Sequence, residues 1–124
     1  MRSMTEWKKK LSDKARELEK LLGMLGLAMR AGKLVIGTEQ VFLAMQRPLK
    51  PYLVLVSEGA SEKARTRIGY KCEFYKIPVF ELAVSTAAFG KRIGKTYSPA
   101  CVGVMDEGFA KRMIELAESD GLNT

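Results

Sequence analysis

Residues 21–45 read LLGMLGLAMRAGKLVIGTEQVFLAM, and this stretch decides the fold. It predicts a helix, a tight turn, a short strand, a second turn and a second helix. Apolar Leu34, Val35 and Ile36 are followed at once by Gly37 and Thr38, then by Glu39, Gln40 and an apolar set at helical spacing, Val41, Ala44 and Met45. A strand that feeds a capped helix is the repeating half of an α/β fold. A helix start leaves its first backbone N–H groups unpaired and carries a partial positive charge, so the turn at Gly37 is a candidate anion site, with phosphate an obvious guest.

Upstream, Trp7, Leu11, Ala15, Leu18, Leu22, Leu25 and Met29 recur at spacings of three and four, which sets them on one face of a long amphipathic helix. Gly23 and Gly26 weaken that helix unless they admit a close neighbour, and close packing on the sheet is the expectation. Ala31 and Gly32 end it. Downstream, the second helix stops before Pro48, and Tyr52, Leu53, Val54, Leu55 and Val56 form a continuous apolar run, the pattern of a strand covered on both faces. A third helix starts near Ser61 with Ala64, Ile68, Cys72 and Tyr75 inward and ends at Pro78. Residues 79–82 make a short strand, and Ser85 and Thr86 cap a fourth helix that reaches about Ile93. A last strand over 101–105 leads to Asp106, the cap of a final helix that buries Phe109, Met113, Leu116 and Ala117. Strands alternating with helices imply an α/β chain, a three-layer α/β/α sandwich on a small mixed sheet of about four strands. The expected organisation is an amphipathic helical extension over 1–17, one domain over 18–119 and a frayed tail over 120–124. Ligands of such sheets bind at loops leaving the carboxyl ends of strands, which nominates the exits at Gly37, Glu58 and Ser85.

Composition narrows the function. A chain of 124 residues buries roughly 65% of its unfolded surface and needs no disulfide or metal to fold. The longest apolar patch, residues 21–29, is too short to cross a bilayer, and no signal-peptide pattern opens the chain, so the expected location is cytoplasmic with no membrane partner. With two cysteines and no histidine, neither a zinc site nor imidazole catalysis is expected, and Cys72 and Cys101 read as small buried residues. No Walker or dinucleotide glycine pattern, paired metal carboxylates or nucleophile with a base occurs, so the chain reads as a non-enzyme without cofactor. The formal net charge of +7 is uneven: residues 30–95 hold 12 Lys/Arg against 5 Asp/Glu, whereas residues 96–124 hold 2 against 5. A basic middle favours a polyanionic partner, above all nucleic acid.

The run AMRAGKLVIGTEQV, then LVLVSEGASE, CEFYKIPVFEL, FGKRIGK and VGVMDEGFA resembles the ribosomal L-seven-Ae and L-thirty-e superfamily of kink-turn RNA binders, and closely its bacterial YlxQ-like branch. The resemblance covers roughly residues 21–116, five short motifs in order at natural spacing. It implies a compact α/β/α domain that binds structured RNA, kink-turn-like or bulged, without catalysis, with ribosomal RNA a candidate partner and a ribosome-associated ribonucleoprotein the expected setting. In the family, the strand-to-helix turn grips a sharply kinked duplex, an asparagine and a glutamate at the start of the second helix meet guanine edges, and a lysine one turn later assists. Gly37 matches the family glycine, Glu39 the asparagine, Gln40 the glutamate and Leu43 the lysine position, so three of the four depart from the archaeal pattern. Ala83, Val84, Ser85 and Thr86 match the family loop that packs on an extruded base, and Glu58 an acidic position after the second strand. Lys91, Arg92 and Lys95 extend the basic surface.

Each residue also has a plainer account. Thr38 can be an N-cap followed by an acid, Glu39, that suits the helix dipole. Arg30 and Lys33 flank the turn and could neutralise phosphate, although a solvated helix end would also hold them. Ser85 or Thr86 can be ordinary caps. A protein-interaction module of the same fold is the rival to RNA binding, since fold does not fix function. The oligomeric state is not legible, with a monomer the expectation.

Overall fold

The computed structural model describes residues 4–94 and 98–119, with side chains over 16–94 and 98–118. The expected inward faces of Trp7, Leu11 and Ala15, the basic Lys95 and the tail over 120–124 lie outside the described residues. The chain runs α1 (Met4–Arg30), β1 (Leu34–Ile36), α2 (Thr38–Met45), β2 (Leu53–Ser57), α3 (Glu62–Tyr75), β3 (Val79–Leu82), α4 (Thr86–Arg92), β4 (Cys101–Val104) and α5 (Glu107–Ser119). The boundary expected at residue 17 falls inside α1, one unbroken helix.

The four strands form a mixed sheet in the order β1-β4-β2-β3. β4 is antiparallel to both neighbours, with Val104 opposite Leu34 and Leu53, while β2 and β3 are parallel, Val54 beside Val79. β1, β2 and β3 therefore point the same way, and their exits share one edge with the entry to β4.

All five residues of β2 are buried. Successive side chains of a strand point to opposite faces. Leu53 and Leu55 accordingly join Leu21, Leu25, Phe89, Val102 and Met113 in a core under α1, α4 and α5. Val54 and Val56 turn the other way, into a second core with Val41, Phe42, Met45, Ile68 and Cys72 under α2 and α3. Each such aliphatic side chain contributes about 1.5–3 kcal/mol by leaving water, and the two cores hold the three-layer α/β/α sandwich expected from the sequence.

The helix limits follow local chemistry. The Ser61 hydroxyl accepts from the Ala64 N–H at 3.1 Å, the Ser85 hydroxyl from Ala88 at 3.1 Å and the Asp106 carboxylate from Phe109 at 2.9 Å. These side chains satisfy N–H groups that a helix start leaves open. Four expectations need correction. α3 closes at Lys76, in a left-handed conformation at φ 58°, before Pro78 is reached. Tyr52 lies outside β2 and is 43% exposed. Met105 falls just beyond β4, although its N–H still donates to the Lys33 carbonyl at 2.8 Å. The glycines of α1 do not serve the sheet: Gly26 approaches the Arg92 carbonyl of α4, 3.4 Å from where a Cβ would sit, and Gly23 is exposed with nothing within 4 Å.

Two measurements check this packing. Gly23→Ala should stabilise the fold by about 0.5–1 kcal/mol in urea unfolding, because it restores helix propensity without a clash. Cys72 and Cys101 are buried in the α2/α3 core; burial, reinforced by the neighbouring Cys101, pushes the Cys72 thiol up to about 12. Burial also pushes Cys101 up to about 11, against a contact with the Thr38 hydroxyl. The thiolate is the reactive form, so neither cysteine should alkylate at pH 8 in the folded protein, while both react in denaturant.

Candidate nucleic-acid interface

The common edge of β1, β2 and β3 is assembled by backbone. The Gly37 N–H donates to the Cys101 carbonyl at 2.9 Å, the Ser57 N–H to Ala100 at 2.9 Å and the Glu58 N–H to Leu82 at 2.9 Å. These bonds extend the sheet pairing past the strand ends and lock the three exits to one another. Ser57 completes the tie. It is fully buried, its hydroxyl donates to the Val84 carbonyl at 2.6 Å, and the same oxygen accepts from the Gly59 N–H at 3.0 Å. A buried hydroxyl satisfied on both sides fixes the β2 exit against the β3 exit. A Cβ on Gly59 would stand 3.0 Å from the Thr86 N and 3.3 Å from the Ser85 Cα, so a larger residue would press the turn after β2 away from the start of α4.

α2 begins differently from its neighbours. Its N-cap is Gly37 at φ 96°, ψ 153°, with no side-chain cap, a backbone region open essentially to glycine alone. This corrects the expectation that Thr38 caps the helix. Thr38 is instead its first residue, with its hydroxyl 4.0 Å from the Cys101 sulfur. Glu39 and Gln40 follow in the first turn, both exposed. The start of α2 thus presents backbone N–H groups, a carboxylate and an amide at the same edge as Glu58, Val84, Ser85 and Thr86. Leu43, one turn on, is exposed as well.

Other expected site residues lie elsewhere. Lys33 precedes β1 and is bonded to Met105, at the opposite end of the sheet; four residues at about 3.3 Å each set it roughly 13 Å from Gly37. Arg30, in the last turn of α1, belongs to that far end too. The two therefore do not flank the turn, because a strand separates them from it. Arg92 pairs with Glu19 of α1, so its charge is engaged, while Lys91 is exposed at the end of α4. Ser85 spends its hydroxyl on capping α4, and Val84 is half-buried against the α1-side core. Ser57 and Gly59 were not picked out from the sequence. A serine closing an otherwise apolar strand, followed at two residues by glycine, is the signal that could have marked them.

No helix among the described residues is long and apolar enough to cross a membrane, and none of their His, Cys, Asp and Glu side chains form a group that could hold a metal. Gly59→Ala should cost about 1–3 kcal/mol, since its new methyl group meets backbone on the facing segment, and a thermal melt should fall by several degrees.

The model of the ribosomal protein L7Ae/L30e/S12e/Gadd45 family matches residues 19–114. A protein of Enterococcus faecium named RNA-binding protein YlxQ is 40% identical over 100 residues, covering 81% of this chain and 93% of that protein. Its namesake from Bacillus subtilis (strain 168) is 38% identical over 95 residues, covering 77% and 92%. A Bacillus halodurans protein solved without a known function superposes with a TM-score of 0.72 at 36% identity, covering 78% of this chain and 95% of its own. With a family model matched over residues 19–114 and two relatives 38–40% identical along most of their length, the chain belongs to the ribosomal protein L7Ae/L30e/S12e/Gadd45 family.

Proposed function

We propose that this protein binds structured RNA, bulged or kink-turn-like, without catalysing a reaction, and that the edge formed by the exits of β1, β2 and β3 is the binding surface. The observation that carries this reading is the glycine-capped start of α2, with exposed Glu39 and Gln40, held by backbone bonds beside the β2 and β3 exits. Two relatives named as RNA-binding proteins, each aligned over most of its length, support it. Exposed N–H groups and a positive helix end suit phosphate. The Gln40 amide can donate to and accept from a base edge, and Glu39 accepts from base amino groups. Ribosomal RNA is the natural partner for a member of this family, in a cytoplasmic ribonucleoprotein.

Binding should weaken with salt at a slope near −0.9 per phosphate contacted, the duplex value taken as a rough guide. Gln40→Ala should reduce the preference for a kinked or bulged RNA over a straight duplex by roughly tenfold or more, on the scale of about 1–3 kcal/mol for a good base contact. Its melting temperature should barely move, because the side chain is exposed. Titrating both RNAs with both proteins, alongside a melt, checks this. Undiminished preference, or stability lost together with binding, would make Gln40 a structural residue. Salt-insensitive association with a protein in place of RNA would favour the interaction-module reading.

A further inference from the structure

The basic excess of the middle of the chain is not concentrated at the strand-exit edge. That edge bears Glu39, Glu58 and Glu62; Arg65 is paired with Glu81 at 2.6 Å, Arg92 with Glu19, and Arg30 and Lys33 sit at the far end. Cations gather instead on the flank of α3 that faces α2. Arg67 and Lys71 lie over the Phe42 ring of α2, 5.2 and 5.4 Å from its centroid. Between and beyond them stand Tyr70 and Phe74, 70% and 78% exposed, one turn apart on the same helix. With Tyr75 these residues line an open groove of about 430 Å³, and no acidic side chain is among its lining residues in the described part of the chain. Lys50 adds a cation over the Tyr75 ring, 5.7 Å from its centroid.

Two large aromatic rings turned to water need a reason, because exposed apolar surface of this kind usually marks an interaction site. Their setting names the partner. Aromatic faces interleaved with guanidinium and ammonium groups form a stacking platform for unpaired bases with their phosphates. The cations are held in place by Phe42, so they need little ordering on binding. The opposite flank of α3 is used otherwise: Arg65 and Gly69 face β3 and Glu81, and Glu73, one turn after Gly69, lies past Tyr70 on the side away from α2. From Ser61, at the edge, to Phe74 the helix rises about 20 Å, with Lys63 exposed near its start. A strand leaving an RNA held at the edge would meet Lys63, then Arg67, then the two rings.

The geometry points to a second RNA surface: the Arg67–Tyr70–Lys71–Phe74 flank of α3 binds single-stranded RNA by base stacking and phosphate pairing. Its cooperation with the edge rests on the RNA reading proposed above, while its affinity for an unpaired strand does not. Three ligands separate the two: a blunt bulged duplex, the same duplex with a single-stranded extension, and the extension alone. In fluorescence anisotropy the extension should tighten binding to the natural protein by tenfold or more. Tyr70→Ala/Phe74→Ala should lose that gain and the affinity for the free extension, with the blunt duplex unchanged, while Tyr70→Phe, which keeps the ring, should retain the gain. Both rings are exposed, so circular dichroism should show an unaltered fold. Failure of the edge reading would appear separately, as no binding of the blunt duplex beside intact binding of the free strand. An extension that adds nothing, or a gain that survives loss of both rings, overturns the proposal. A dimer of this chain dissolved by the double variant, with no effect of the extension, overturns it in favour of a protein interface.

Discussion

β2 has no face turned to solvent, and the rest of the architecture depends on that constraint. Five consecutive buried residues with side chains alternating between two directions require an apolar cover on each side of the sheet. α1, α4 and α5 supply one cover and α2 with α3 the other. Once both covers are in place the strand exits cannot hide beneath a helix. They are left at the end of the sheet, where backbone groups not used in pairing must meet water, each other or a ligand.

How that end is finished decides what it can recognise. Three exits are joined by backbone hydrogen bonds to β4 and to each other, and the buried Ser57 hydroxyl bridges the second and third. Backbone tied in this way fixes where its side chains start, which lowers the ordering cost of binding. Two glycines make the arrangement possible for different reasons. Gly37 adopts a conformation that other residues avoid, whereas Gly59 suits a close approach, since a methyl group there would crowd the backbone at the start of α4.

Charge and contact are divided over the surface. The edge carries an amide, carboxylates and helix N–H groups, a set suited to hydrogen-bonded reading. The α3 flank carries cations over aromatic rings, a set suited to attraction and stacking that is indifferent to sequence. Arg65 and Arg92, though part of the same basic excess, are drawn into pairs with Glu81 and Glu19. These exposed pairs contribute little to stability, but they decide which cations remain available to a polyanion.

Much of this was legible in the chain because its causes are local. The strands, the helices, the caps at Ser85 and Asp106 and the special turn at Gly37 all follow from hydrophobic period and side-chain chemistry within a few residues. The strand-exit rule nominated the candidate edge, and the motif resemblance added the residues on it. What the chain did not disclose involves partners far apart in sequence: the order β1-β4-β2-β3, the pairing of Arg92 with Glu19, the meeting of Gly59 with Thr86 and the seating of Arg67 and Lys71 on Phe42. Lys33 is instructive, since nearness in sequence to Gly37 suggested nearness in space, yet an extended strand carried the two to opposite ends of the sheet. Sequence by itself determined which segments are helix or strand and which faces are apolar, because backbone preference and period act over one or two turns. Only the tertiary structure decided which loops share an edge and which cations stay exposed, because those depend on how two apolar faces of one strand are buried at once by segments distant in the chain.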